Sequence, residues 1–268
     1  MKKLMFAAAV AAGLAAFGDG IESANTVGYT KQDFMAKSTY YMMGSQFETT
    51  AGTTLKLADL DFGDMTGAPY FDEDGNFAAT APQVRIAFAN REGFTTYYYL
   101  ADGAENMIDP GWVDVVGNPA NPDVPAGIGF WFYNPVSTAP ALTSAGAVVG
   151  DASVEKTFDS TFRVLVNPFP VATKLSDIDF GTIATGAPYF DEDGNFTSTA
   201  TQIRIPFADR EGFTTYYYLA DGAENMVDPG WVDVVGNPLP AADMPTIPVG
   251  RGCWFKPTGS LTVTFSAP

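Results

Sequence analysis

Apolar and polar residues alternate with a period of two along much of the chain. In QVRIAFA, Val84, Ile86 and Phe88 interleave with Arg85, Ala87 and Ala89, which is the period of a half-buried strand. FTTYYYL, residues 94–100, is β-prone, and Asn90-Arg91-Glu92-Gly93 between the two runs predicts a hairpin. A second hairpin signal precedes it, where PYFDE and NFAAT flank Asp74-Gly75. Both central residues of a type I′ turn take positive φ, which suits that dipeptide. WVDVV, GFWFY, FRVLV and the C-terminal SLTVTFS read as further short strands, and Gly- and Pro-rich loops separate them. VSTAPALTSAGAVVG is only thinly patterned. No amphipathic helical period occurs beyond the first residues, so the expected fold is all-β.

The same pattern occurs twice. Residues 66–119 return 119 positions later as 185–238, with 47 of 54 residues identical. A repeat at fixed offset decides the architecture before any local feature does. The chain therefore reads as two tandem β-sandwich or small β-barrel modules related by internal duplication, each with about six to eight short strands. The expected divisions are a signal peptide at 1–18, a first module at 19–143 and a second at 144–268. Outside the block the copies have drifted: residues 28–47 align with 150–169 at only 4 of 20 identities.

MKKLMFAAAVAAGLAAFG opens the chain with two lysines, an apolar run from Leu4 to Phe17, and Ala16 and Gly18 as small residues before a cleavage point. This is the form of a secretory signal, and the run is shorter than the roughly 20 residues a membrane span needs. Retention of the segment as an apolar anchor or filament core is the alternative. Without residues 1–18 the chain loses Lys2 and Lys3 and no acid, leaving 12 cations against 31 acids and a net charge of −19. Such a field repels nucleic acid and anionic lipid. The expected locale is secreted, extracellular or cell-surface, with no nucleic-acid partner and no membrane span after cleavage. Cys253 is the only cysteine, so no intramolecular disulfide framework exists. Its counterpart is Phe130, in GIGFWF against GRGCWF, which points to a buried apolar slot, with intermolecular pairing as the alternative.

The chain has no histidine, which removes the commonest general base and transition-metal ligand. Asp102, Glu105, Asp109 and Asp114 are close enough in sequence to suggest paired-carboxylate chemistry, but they lie in a Gly/Pro-rich stretch, and the protein is expected not to be an enzyme. Asp72, Asp74 and Asn76, with Asp191, Asp193 and Asn195 in the second copy, offer oxygen ligands for calcium. The twelve-residue calcium loop does not fit, because Tyr70 and Ala81 stand where acids are required. A partial calcium site or a plain hairpin turn remains. Tyr97, Tyr98, Tyr99 and Trp112 recur as Tyr216, Tyr217, Tyr218 and Trp231. On a strand Tyr97 and Tyr99 share one face and Tyr98 takes the other, so these rings are candidates either for ligand stacking or for cross-strand packing.

ESANTVGY, VNPFP, PAGIGFWFYNP and PVGRGCWFKP resemble the repeat modules of uncharacterised bacterial exported and surface proteins. Those modules open on a Val-Gly-Tyr strand, carry an Asn-Pro strand end and close on Pro-x-Gly-x-Gly-Phe/Tyr-Trp. The resemblance implies an exported β-module and carries no catalytic residue. Gly44-Ser45-Gln46 replaces Val166-Asn167-Pro168 in the first copy and departs from it. The first functional expectation is a secreted structural protein that self-associates into a filament, layer or matrix, with strand ends such as SLTVTFS as joints. The alternative is a bivalent carbohydrate- or surface-binding adhesion protein using the duplicated aromatic strands, with calcium as a possible support.

Overall fold

The structure is a computed structural model that describes residues 27–33, 39–49, 51–63, 65, 81–87, 93–100, 110–134, 141–183, 200–207, 212–219 and 229–268. The expected signal segment, the Asp74-Gly75 hairpin and the acids at 72–76, 102–109 and 191–195 lie outside them. Among the described residues there is no α-helix; strands, turns and two short 3-10 turns make up the regular structure.

Each copy pairs a five-stranded antiparallel sheet with a three-stranded one. In the first copy the large sheet runs in the order β2 (Thr39–Met43), β9 (Phe130–Asn134), β5 (Gln83–Ala87), β6 (Phe94–Leu100), β7 (Gly111–Val113). The second repeats it as β12 (Arg163–Val166), β19 (Gly252–Lys256), β15 (Gln202–Pro206), β16 (Phe213–Leu219), β17 (Gly230–Val232). The small sheets are β1 (Val27–Asp33), β10 (Ala141–Val148), β3 (Phe47–Glu48), and β11 (Ser153–Phe158), β20 (Leu261–Ser266), β14 (Ile178–Asp179). Two ribbons complete the set, β4 (Leu55–Lys56) with β8 (Asp123–Val124) and β13 (Thr173–Lys174) with β18 (Thr246–Ile247). None of the sheets among the described residues closes, so the architecture is sandwich rather than barrel. The ten strands per copy among the described residues exceed the expected number because β3, β4, β8, β13, β14 and β18 span two residues each, too short to register a period.

Alternation builds the cores. Tyr41, Met43, Val84, Phe130 and Phe132 on the first large sheet meet Phe47 and Leu142 on its small sheet, all buried. In the second copy Leu165, Ile203, Cys253 and Phe255 meet Phe158, Val263 and Phe265. Two readings of the sequence change here. WVDVV is a strand only through Val113; Val115 and Val116 are 60% and 76% exposed, because the Asp114 carboxylate accepts from the amides of Val116 and Asn118 and folds the chain into a turn. The thinly patterned bridge contains β10, paired on both sides, and residue 144 falls within it. The Ser45 departure keeps one bond of the turn and loses two: Ser45 Oγ accepts from the Phe47 amide at 3.1 Å as Asn167 Oδ1 accepts from Phe169 at 3.0 Å, but Asn167 Nδ2 also donates to Val171 O at 2.7 Å and Thr173 Oγ1 at 2.5 Å.

The outer faces of the large sheets pack on each other. Met42, Trp131, Val164 and Val166 form a third buried cluster, joined by Trp254 and Ala87. Gly129 donates to Val164 O at 3.0 Å, Val166 to Gly127 O and Gly44 to Gly250 O, both at 3.3 Å. Met43 bridges to Arg251 and Leu165 to Ile128, and each pair joins equivalent positions of the two copies in reversed roles. That is the contact pattern of a twofold, isologous interface within one chain.

Candidate functional site

The tyrosine strands β6 and β16 divide their rings as their period requires. Tyr97 and Tyr99 pack toward the first core and Tyr216 and Tyr218 toward the second. Tyr99 meets Trp112 edge-on at 5.3 Å, and Tyr218 meets Trp231 in the same way at 5.3 Å. Phe62 and Phe180 close on the far sides of these buried tryptophans. Tyr98 and Tyr217 take the outer faces, opposite Gln83 and Gln202. The eight aromatic candidates therefore do not converge on one site; six of them furnish the two interiors.

Ligand-sized space lies instead between the copies. A cleft of about 410 Å³ opens where the outer faces of the two large sheets diverge beside the Trp131–Trp254 contact, whose ring centres are 4.9 Å apart. Tyr40, Arg85, Phe94 and Trp131 line it from the first copy, and Pro206, Phe213 and Trp254 from the second. Register explains the convergence. Trp131 lies directly across from Met42 on one side and Arg85 on the other, and Phe94 packs edge-on against Trp131 at 4.9 Å. Period two sends Val84 and Ile86 inward, so Arg85 must face out.

Arg85 is the polar centre of this wall. Its Nε and Nη2 donate to Gln83 Oε1 at 3.1 and 3.0 Å, and its guanidinium sits 4.8 Å from the Tyr40 ring centre. Gln83 is buried on the same outer face, so the arginine is anchored to a group shielded from water. Burial pushes the Tyr40 phenol above its ordinary range, and the Arg85 charge opposes that shift. The second copy repeats the clamp, with Arg204 donating to Gln202 Oε1 at 3.2 and 3.0 Å, but its surroundings differ. Phe162 stands where the first copy has Tyr40, and Arg204 lies over Phe162 at 4.6 Å and Phe213 at 5.4 Å. Phe162 packs on Trp254 at 5.4 Å, whereas Tyr40 leans on Tyr133 at 4.9 Å.

Among the described residues no three His, Cys, Asp or Glu side chains gather in a metal-binding group, and no carboxylate lines the cleft. No described helix is long and apolar enough to cross a membrane. Cys253 is buried, and burial pushes its thiol far above the ordinary range. Comparison of the chain with protein families, curated proteins and solved structures gives no match.

Tryptophans 131 and 254, Arg85, Gln83, Tyr40 and Phe94 escaped sequence reasoning. The signal that could have found them was the outward phase of Arg85, together with GFWFY, whose apolar residues on both faces imply cover on both.

Proposed function

We propose that the protein is a non-catalytic binding protein of the cell exterior, with carbohydrate as its ligand and the inter-module cleft as its site. The observation that supports this reading is the cleft wall, where aromatic rings from both copies surround a guanidinium fixed by a buried carboxamide. Sugar rings offer flat C–H faces to aromatic side chains and hydroxyls to planar polar donors. The volume is of the size that small-ligand sites occupy. Both modules serve one site, so the expected stoichiometry is one glycan per chain rather than two. Screening the full chain on a glycan array, followed by titration calorimetry, tests the reading. Tyr40→Ala with Phe94→Ala should weaken binding by about tenfold or more; a glycan bound with unchanged affinity by that variant, or no glycan bound at all, discards it.

Self-assembly is the second reading, favoured by the β1 edge. Val27 and Tyr29 at the start of this edge strand are 66% and 62% exposed, an apolar pair ahead of the charged Lys31 and Asp33 at its other end. The C-terminal strand gives assembly no support: β20 is paired with β11 on one side and β14 on the other. Sedimentation of wild type beside Tyr29→Lys tests it, since a concentration-dependent polymer lost in the variant is required.

A further inference from the structure

The charge balance sets Arg85 apart. Acids outnumber Lys and Arg by 31 to 14 in the chain, yet among the described residues this arginine has no carboxylate partner and no carboxylate lines its cleft. It is nonetheless held firmly. Of its five N–H groups, one on Nε and one on Nη2 are taken by Gln83 Oε1, and Tyr40 covers one guanidinium face. Those contacts occupy the side edge. Nη1 and the second Nη2 proton remain as a fork on the end edge. Among the described residues this fixed guanidinium therefore has no ion pair, in a chain where acids are in excess.

We propose that the cleft selects a ring bearing a carboxylate, namely a uronic acid unit of an acidic glycan. Arg85 would grip the carboxylate end-on through Nη1 and Nη2, the bidentate geometry that guanidinium and carboxylate share. The sugar's flat C–H face lies against the aromatic wall of Phe94, Phe213 and Trp131. The long-range field of the acidic surface opposes an anion, but it is screened beyond about 8 Å at physiological salt, whereas the contact at Arg85 is not. Arg204 has the same glutamine clamp but lies against two rings, Phe162 and Phe213, and is not part of the cleft wall. The inference rests on the reading of this cleft as a glycan site and adds the charge of its ligand.

Titration calorimetry on the full chain, with oligogalacturonate, the matching neutral oligogalactose and benzoate as probes, decides it. Wild type should bind the uronate roughly tenfold or more tightly than the neutral sugar, the range of a charged hydrogen-bonded pair. Arg85→Gln should abolish that preference, weakening the uronate by far more than the neutral sugar; Arg85→Lys, which retains charge without the fork, should keep only part of it; Arg204→Gln should leave it intact. Equal affinity of wild type for both sugars overturns the carboxylate inference and leaves the glycan reading standing, and it requires no variant to fold. A preference that survives Arg85→Gln overturns it too. If neither sugar binds, both readings fall, and benzoate binding alone would assign the carboxylate to a different source.

Discussion

The repeated block and its flanks behave differently in the two modules, and the contrast locates where each module became distinct. Within the block, equivalent contacts agree closely: Tyr99–Trp112 and Tyr218–Trp231 are both 5.3 Å apart, and the Gln83–Arg85 and Gln202–Arg204 clamps match to within 0.1 Å. The flanks supply β2, β9, β12 and β19, and these are the strands that bring the modules together. There Met42 faces Val164, Gly44 replaces Val166, and Tyr40 and Tyr133 answer to Phe162 and Lys256. Of these flank positions Met42, Val164 and Val166 meet the opposite module, whereas Tyr40 and Phe162 pack on Tyr133 and Trp254 of their own. The divergence leaves Tyr40 in the cleft wall, whereas its equivalent Phe162 packs on Trp254 and Arg204 and is not part of that wall.

Trp131→Ala should break this arrangement most severely. The ring is 7% exposed and joins Trp254, Phe94 and the interface cluster, so its removal should cost about 3–5 kcal/mol. Trp112→Ala removes an equally buried ring from inside one module and should cost a similar amount. The two differ in form. Melting followed by calorimetry and by near-ultraviolet dichroism should stay coincident for Trp112→Ala and separate into two transitions for Trp131→Ala. Coincident transitions in both would mean that the interface does not couple the modules.

The glycines of the paired Gly-x-Gly segments give a smaller test of the same contact. A Cβ on Gly129 would meet Val164 Cγ1 and, at 2.7 Å, the carbonyl oxygen of Met43; on Gly252 it would meet Val164 Cγ1 and, at 3.2 Å, Met42 Cβ. Gly129→Ala and Gly252→Ala should each cost about 1–3 kcal/mol through overpacking, read as a lower urea midpoint. Gly117→Ala provides the comparison, with φ of 87° and open space around it, so only backbone strain of about 1–2 kcal/mol applies. If Gly129→Ala proves harmless, the modules do not meet as closely as this geometry requires.

Cys253 sharpens the contrast from the other side, because it fills the slot that Phe130 fills in the first module. Burial raises its thiol and its side chain is 1% exposed, so it should not react with a thiol reagent at neutral pH in the folded protein. It should react at one equivalent per chain in denaturant. Reaction in the native state would show that the second core opens.

How much of this was legible in the sequence follows from how many faces of a strand carry signal. The β5–β6 hairpin and the split of the three tyrosines were readable, since one apolar face and one polar face fix phase and pairing. GFWFY was readable only as a strand covered on both sides. Nothing in an unbroken apolar run says that Phe130 and Phe132 enter their own core while Trp131 meets the other module. The cleft inherits that ambiguity, being made where two such runs cross. β10 was faint because its Thr, Ser, Ala and Gly residues contrast little in hydropathy. The end of β7 was hidden because Asp114, not the apolar pattern, ends it.

Asp114 and Asp233 are equivalent residues inside the block, where the expected difference is nil. Asp114 accepts from the amides of Val116 and Asn118, both at 2.9 Å, and from the Asn118 side chain at 3.2 Å; Asp233 makes the same three bonds at 2.9 Å. The Asn118 backbone bond does most to hold the Asp114 carboxyl below the ordinary carboxylate range. At Asp233 burial pushes upward, and the hydrogen bonds from Asn237, Val235 and Gly236 outweigh it. A carboxyl depressed in the folded state contributes stability above its unfolded value and loses it as pH falls through the depressed one. Each turn should therefore hold its Val115-Val116 or Val234-Val235 tip at neutral pH and loosen only in acid. Amide exchange of Val116 and Val235 followed down the pH scale should show protection lost in both at a pH below the ordinary aspartate range. Asp114→Ala and Asp233→Ala should each release one tip at neutral pH, shifting global stability only slightly because the carboxylates sit at the surface. Unequal release would mean that the block's near-identity does not carry over to equal local stability, and that the flanks reach further into it than the interface alone.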